Sequence, residues 1–171
     1  RGLTGKSTLA RAVIARFGEG ASRPVTLLDG DVVRKHLSKG LGFSREDRSA
    51  NVRRIGYVAA EVARHGGIAV CAPIAPYAED RAAVRALVEA TGAAFVELHV
   101  ATPLHECEAR DRKGLYALAR AGKLKGFTGI DDPYEEPLCP ELRIDTTGED
   151  PLALADGIVD WLRGHGLWAK A

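Results

Sequence analysis

The feature that most constrains this chain is the run Gly5-Lys6-Ser7-Thr8, which leads directly into an apolar helical pattern. Such a run ends a phosphate-binding P-loop, G-x-x-x-x-G-K-[ST], in which main-chain N–H groups and a helix N-terminus bind phosphates. The lysine reaches the β- and γ-phosphate oxygens and the hydroxyl binds Mg²⁺. Here two residues separate Gly2 from Gly5, whereas the motif has four. We therefore expect that two residues between Thr4 and Lys6, and the strand that feeds the loop, are missing from the sequence.

Length and charge narrow the class of protein. A chain of 171 residues fits one domain, 1–171, with a sizeable core. Its 24 Lys and Arg against 23 Asp and Glu, a net charge of +1, argue against a general nucleic-acid binder. No apolar run approaches the roughly 18 residues of a membrane span, and no signal peptide is recognisable. We expect a cytoplasmic protein with no membrane or nucleic-acid partner.

Apolar runs and helical patterns alternate after the phosphate motif, which predicts a parallel sheet flanked by helices in three layers. The expected fold is α/β, of the P-loop NTPase type, with the first strand absent from the sequence. Thr102 is expected to begin a helix that has Pro103 at its first position, and the irregular segment 113–137 to serve as a lid. Helices are expected at 7–17, 32–37, 44–65, 79–90, 103–109, 115–121 and 151–163, and strands at 24–28, 68–72, 95–100 and 142–145.

Polar residues at the end of the first expected strand indicate a ligand site. Asp29-Gly30-Asp31 follows the apolar run 24–28, where open α/β sheets bind ligands. The alternative is that Asp31 caps the following helix, and the two roles can coexist. Further on, Arg48, Asn51 and Arg54 are spaced along one edge of a helix. Beside Arg34 they suggest an anion pocket, although a solvated helix face is the simpler interpretation.

Two phenylalanines lie in polar, glycine-flanked loops outside any apolar periodicity. Phe43 is found in GLGFSRED and Phe127 in KGFTGID. Loop phenylalanines often return to a core. As a pair beside expected ligand loops, however, they fit a clamp that stacks on a purine base.

These motifs, in this order, resemble adenylylsulfate kinase (APS kinase), and the resemblance covers essentially the whole chain. It rests on the GKST start, L-L-D-G-D-x-x-R at 27–34, L-G-F-S-x-x-D-R-x-x-N-x-R-R at 41–54, I-x-P-Y at 74–77, C-E-x-R-D-x-K-G-L-Y at 107–116 and F-T-G-I-D-D-P-Y-E-x-P at 127–137. The stretches 71–77 and 125–135 look most similar to kinase domains fused to sulfate adenylyltransferase.

The resemblance implies transfer of the γ-phosphoryl group of ATP to the 3′-hydroxyl of adenosine 5′-phosphosulfate (APS), which gives 3′-phosphoadenosine 5′-phosphosulfate (PAPS) and ADP. Lys6 would hold the transferring group, and Asp31 would orient or deprotonate the hydroxyl, with Asp29 in support. Mg²⁺ would bind Ser7 and Asp31. ATP binding would involve Gly2, Gly5, Lys6, Ser7, Thr8 and Arg110. APS binding would involve Asp31, Arg34, Phe43, Arg48, Asn51, Ile74, Ala75, Lys113, Phe127 and Thr128. The family also suggests a homodimer and a fused or associated sulfate adenylyltransferase.

Two departures from the family pattern affect these expectations. Ala75 stands where many members have serine, so no phosphoserine can form there and direct transfer is expected. The short phosphate loop would lose main-chain donors, and a literal deletion should abolish ordinary ATP binding. The alternatives are a non-catalytic APS- or PAPS-binding domain that regulates a sulfate adenylyltransferase, or another small P-loop kinase.

Overall fold

Helices and strands alternate along the chain, as predicted. The computed structural model describes residues 4–18, 23–111 and 114–168. Within these ranges the order is α1 (Lys6–Gly18), β1 (Val25–Asp29), α2 (Gly30–His36), α3 (Arg45–Arg64), β2 (Ile68–Ala72), α4 (Ala78–Glu89), β3 (Leu98–Val100), α5 (Leu104–Ala109), α6 (Leu115–Arg120), β4 (Leu142–Ile144) and α7 (Pro151–Gly164).

The strands form two parallel pairs. Strand β1 pairs with β2 over Val25–Ile68 to Asp29–Ala72, and β3 pairs with β4. Within the described ranges no strand joins β2 to β3. The register places the end of β1 beside the end of β2, so the segment after Asp29 and the 73–77 loop leave the sheet at the same edge.

The helices cover both pairs. Helix α1 packs against Ile158 and Val159 of α7, and its Phe17 ring stacks on Trp168, which follows α7, with centroids 4.5 Å apart. Apolar residues of all four strands pack against this cluster, among them Val25, Ile68 and Leu98. A second cluster joins Leu28 of β1 to α2 and α3. The apolar stripes of the helices therefore meet the apolar strands, which gives the predicted arrangement of helices around parallel strands.

Two local predictions were wrong. Strand β3 begins at Leu98 rather than residue 95, because the Phe95 carbonyl accepts from Arg85 and the Glu97 N–H donates to the Glu141 carboxylate. Thr102 does not cap α5. The N-cap residue is Pro103, without a side-chain hydrogen bond, and the Thr102 hydroxyl bonds elsewhere.

The N-terminus of α3 and the length of the helices complete the description of the fold. Ser44 caps α3 as predicted, since its hydroxyl accepts the Asp47 N–H at 3.1 Å. None of the helices in the described part of the chain is sufficiently long and apolar to cross a membrane.

Candidate active site

The phosphate motif forms the start of α1. Gly5 turns the chain with φ +88°, and its carbonyl accepts the Leu9 N–H at 2.8 Å, which begins the helix. Lys6, Ser7 and Thr8 therefore lie in the first turn, where main-chain N–H groups have no partner within the helix. Such a helix N-terminus favours anions. Residues 5–8 thus present main-chain donors that suit a phosphate.

The Lys6 side chain lies beside this turn. Its Nζ donates to Thr4 Oγ1 at 3.1 Å. Burial lowers the pKa of the Lys6 amine from 10.5 to about 8, while negative charge at Cys107, Asp29 and Asp31 acts in the opposite direction. A bound phosphate would favour the charged amine and so restore a higher pKa.

Asp29 connects the phosphate motif with α2. Its Oδ1 accepts the Asp31 N–H at 3.0 Å and so caps α2. Burial acts to raise the pKa of Asp29, but hydrogen bonds from the Ser7 side chain and the Asp31 main chain outweigh it and keep the pKa below its usual value. Asp29 is therefore a buried carboxylate beside the Ser7 hydroxyl, and Asp31 is exposed on the first turn of α2.

Two guanidinium groups gather around Phe43. Arg34 lies 4.6 Å from the ring centroid and Arg48 lies 5.7 Å from it. Burial, followed by repulsion from Arg48, lowers the pKa of Arg34. Phe43 itself is 62% exposed, so it has not returned to the core. Paired cations beside an exposed aromatic ring suit a ligand that has both an anionic group and a flat base.

Arg48 also fastens the predicted lid. Its Nε donates to the Phe43 carbonyl at 2.9 Å and its Nη1 to Thr128 Oγ1 at 2.7 Å, while Nη2 donates to the Gly126 carbonyl. Asp132 lies 3.7 Å from Nε and accepts a hydrogen bond from the Tyr77 hydroxyl. Arg48 is 7% exposed. In this arrangement its donors hold the Phe43 and Phe127 loops together.

The remaining residues predicted to bind APS lie around this cluster. Asn51 is buried on α3, and its Oδ1 has no hydrogen-bond partner among the described residues. Ile74 and Ala75 lie in the loop after β2, where Ala75 has φ +44° and its carbonyl accepts from Arg81 at 3.0 Å. The Phe127 ring packs edge-on against Tyr116 at 4.8 Å.

A group of residues around Arg110 contributes contacts that the sequence did not predict. Arg110 donates to the hydroxyl and the carbonyl of Thr146, each at 2.8 Å. Thr146 and Thr102 both bond the carbonyl of Thr4. A threonine at the end of an apolar strand gives no distinctive pattern, which is why this contact was missed.

Gly2, predicted to bind ATP, and Lys113, predicted to bind APS, lie outside the described residues.

A divalent cation would find oxygen ligands at Asp29 and Ser7. The Oδ2 atom of Asp29 is buried without a well-formed hydrogen bond in the described structure, and its ion pair with Arg11 is 4.0 Å long. A carboxylate and a hydroxyl suit Mg²⁺, which usually keeps several waters and binds through few protein oxygens. In the described ranges no cluster of three or more His, Cys, Asp or Glu side chains is placed to hold a metal by itself.

Comparisons with known proteins identify the family and the fold. The profile of the family described as adenylylsulphate kinase matches residues 2–145. The structure of the Mycobacterium tuberculosis APS kinase CysC in complex with AMPPNP and APS has 40% sequence identity and a TM-score of 0.88. That comparison covers 94% of this chain and 92% of the M. tuberculosis chain. The hexameric APS kinase from Thiobacillus denitrificans is 46% identical with a TM-score of 0.77, over 99% of this chain and 28% of that one.

Curated relatives are considerably longer. The sulfate adenylyltransferase of Emericella nidulans is 46% identical over 167 residues, which are 98% of this chain and 29% of that protein. The sulfate adenylyltransferase of Gibberella zeae is 47% identical over 164 residues, 96% of this chain and 28% of that protein. The chain thus spans less than a third of these relatives. The resemblance and fold class predicted from the sequence are confirmed.

Proposed function

Because this chain belongs to the adenylylsulphate kinase family, we propose that it transfers the γ-phosphoryl group of ATP to the 3′-hydroxyl of APS. The products are PAPS and ADP. The observation that carries the proposal is the position of α2, which connects two anion sites. Asp31, in the first turn of α2, acts to raise the pKa of the Lys6 amine. Arg34, one turn later, contacts the Phe43 ring.

The donor half supplies charge and alignment. Phosphoryl transfer requires little covalent chemistry from a protein and depends on positioning and on neutralising the charge of the transferred group. The Lys6 amine and the N–H groups of the first α1 turn would bind the phosphates. Arg110 would contact the nucleotide outside the phosphate loop.

Asp29 and Ser7 would hold Mg²⁺ that arrives with ATP, and Asp31 would complete the ligands. When bound there, Mg²⁺ would supply positive charge that offsets part of the charge of the phosphates. Because Asp29 is buried and kept ionised, it offers a fixed negative charge. Asp31, exposed on the first turn of α2, would orient the acceptor hydroxyl and accept its proton.

The acceptor half would bind APS between the Phe43 and Phe127 loops. The purine would stack on the exposed Phe43 ring, and Arg34 with the buried Asn51 amide would bind the phosphosulfate and ribose. Arg48, whose donors already serve both loops, would set the spacing of the clamp and contact the ligand at its edge. Ile74, Ala75 and Thr128 would line the same cleft.

The setting of this domain is a further part of the proposal. We infer that it works as a homodimer in the cytoplasm, beside a fused or associated sulfate adenylyltransferase that supplies APS. The names and lengths of the curated relatives support the association. Light scattering of the purified domain at micromolar concentration tests the dimer, and a mass of one or six chains would overturn it.

Formation of PAPS by the purified domain tests the activity. With APS, ATP and Mg²⁺ we expect PAPS that is detectable by chromatography. Asp31→Asn should lower kcat by about 10²–10³-fold and change the dissociation constant of APS by less than about threefold. Asp160→Asn, which removes an exposed carboxylate paired with Arg163 on α7, is the matched control and should leave both quantities unchanged.

The second candidate is a non-catalytic domain that binds APS or PAPS and regulates an associated sulfate adenylyltransferase. The short phosphate loop favours it, since two residues separate Gly2 from Gly5 where the motif has four. Tight PAPS binding without any ATP-dependent PAPS formation would select this candidate. Equal losses of turnover and APS binding in Asp31→Asn would instead remove the catalytic assignment of Asp31.

A further inference from the structure

Three threonines meet below the phosphate loop, away from solvent. Thr4 precedes the loop glycine, while Thr102 and Thr146 follow the ends of β3 and β4. Their exposed fractions are 2%, 0% and 9%. Thr102 Oγ1 and Thr146 Oγ1 each lie 3.1 Å from the Thr4 carbonyl oxygen, and the two hydroxyl oxygens lie 2.8 Å apart. Segments 98 and 142 residues away from Thr4 thus hold one peptide group.

The hydrogen bonds of this group have a direction. Arg110 Nη1 donates to Thr146 Oγ1 at 2.8 Å, so the single hydroxyl proton of Thr146 remains available for the Thr4 carbonyl. The Thr146 N–H donates to Thr102 Oγ1 at 3.3 Å. The Thr102 proton then reaches either the Thr4 carbonyl or the Thr146 hydroxyl. In a buried site such connected bonds strengthen one another.

Thr4 passes this constraint on to the lysine of the loop. The Thr4 carbonyl accepts hydrogen bonds from the Thr102 and Thr146 hydroxyls. The Thr4 hydroxyl accepts a hydrogen bond from the Lys6 ammonium at 3.1 Å. Next to it, Gly5 has φ +88°, and a Cβ there would lie 3.2 Å from Thr146 Oγ1. The absence of a side chain at Gly5 allows this close approach. The contacts therefore run from Arg110 through Thr146 and Thr4 to Lys6.

We propose that Thr102 and Thr146 are positioning residues that fix the phosphate loop and the Lys6 side chain by anchoring the Thr4 peptide. The inference rests on the proposed function, in which the Lys6 amine binds the phosphoryl group that is transferred. Through Arg110, the same anchor connects the nucleotide contact outside the loop to the loop itself. Errors of about 1 Å in the placement of such a group cost up to about 10²-fold in rate, so the anchor acts on turnover as well as on folding.

The test compares substitutions that change one hydroxyl at a time. Thr146→Val removes the hydroxyl and keeps the shape, and Thr146→Ser restores the hydroxyl. Thr91→Val is the matched control, since its hydroxyl also donates to a main-chain carbonyl, that of Val88 at 2.7 Å, at the far end of α4. Each purified variant is assayed for PAPS formation, ATP binding and thermal unfolding.

Thr146→Val should lower kcat/KM for ATP by about tenfold or more and leave KM for APS within about twofold. Thr146→Ser should recover most of the loss, and Thr91→Val should match the wild type in both constants. Thr102→Val should act in the same direction as Thr146→Val.

Amide hydrogen exchange gives a measurement that needs no turnover. The Leu9 N–H bonds the Gly5 carbonyl, so Thr146→Val should speed its exchange by about fivefold or more. Exchange in α4 should stay as in the wild type. Thr91→Val should show the reverse pattern. The exchange rates test whether Thr146 holds the Thr4 peptide even if the wild type forms no PAPS. Absence of PAPS formation alone would contradict the proposed function and not the positioning role of Thr146.

Three results would overturn the inference. The first is wild-type kinetics together with wild-type exchange at Leu9 in Thr146→Val. The second is a Thr146→Ser variant as impaired as Thr146→Val, because the hydroxyl would then not matter. The third is a Thr91→Val variant that loses as much kcat/KM for ATP, because the effect would then be general destabilisation.

Discussion

A glycine in the middle of α3 controls how closely this helix packs against α4. A Cβ at Gly56 would lie 2.5 Å and 2.7 Å from the two Cγ atoms of Val84, closer than any tolerated contact. Valine in a helix is largely restricted to one χ1 rotamer, so Val84 cannot turn away at little cost. Gly56→Ala gains about 1 kcal/mol of helix propensity, but overpacking costs about 1–3 kcal/mol.

We expect a net loss of about 1–2 kcal/mol for Gly56→Ala, since the contact is short enough to place the cost near its upper limit. For a domain of this size the loss lowers Tm by about 2–8 °C. The matched control is Gly157→Ala in α7, where a Cβ would meet nothing within 4 Å. It should gain the full propensity term and raise Tm by about 2–4 °C. Differential scanning calorimetry measures both.

The same variant also tests the site. Arg48 and Asn51 lie on the same helix, in the turns that precede Gly56, so a displaced α3 should raise KM for APS more than KM for ATP. In the double variant with Val84→Ala, the Gly56→Ala substitution should cost less than it does alone. If Gly56→Ala raised Tm as much as Gly157→Ala, the close α3–α4 contact and the reasoning built on it would be refuted.

Two further predictions concern charged groups of the site. Because burial holds the pKa of Lys6 at about 8 in the free protein, below its usual 10.5, binding phosphate above pH 8 requires uptake of a proton. ATP affinity should therefore fall about tenfold between pH 7 and pH 9. Calorimetry should find this fall abolished in Lys6→Arg, and a pH-independent wild type would contradict it. Arg48→Lys should lower the free energy of unfolding in urea by about 2–4 kcal/mol, because lysine cannot reach all the acceptors. Arg54→Lys, which affects one exposed bond to the Leu37 carbonyl, should change it by less than about 0.5 kcal/mol, and equal effects would contradict the role of Arg48 in fastening the lid.

Regular elements were predictable from the sequence because they depend on neighbouring residues. The apolar run 68–72 is β2 with the bounds that were predicted, and Ser44 begins α3 as its spacing to Asp47 indicated. Thr102 shows where such local reasoning fails. Its position before Pro103 is typical of a helix cap, but burial beside Thr4 and Thr146 provides its hydroxyl with other partners. Tertiary hydrogen bonds overrode the local preference.

In the candidate site too, contacts between residues close in sequence were predictable and contacts between distant residues were not. Asp29 caps α2 and contacts Ser7, and Arg34 follows in the second turn of the helix, so residues 29–34 fix how far the Ser7 hydroxyl lies from the Arg34 guanidinium. Because this segment is short and local, its position at the end of β1 could be predicted from the sequence. The contact between Arg48 and Thr128 spans 80 residues, and that between Thr146 and Thr4 spans 142. Helical spacing could place Arg48 at the site, but it could not predict that two loops and an aspartate would share its donors. Because the Arg48 donors already bond protein acceptors, a ligand of Arg48 must displace some of them, and we predict that binding of APS is coupled at this guanidinium to rearrangement of the 126–132 loop.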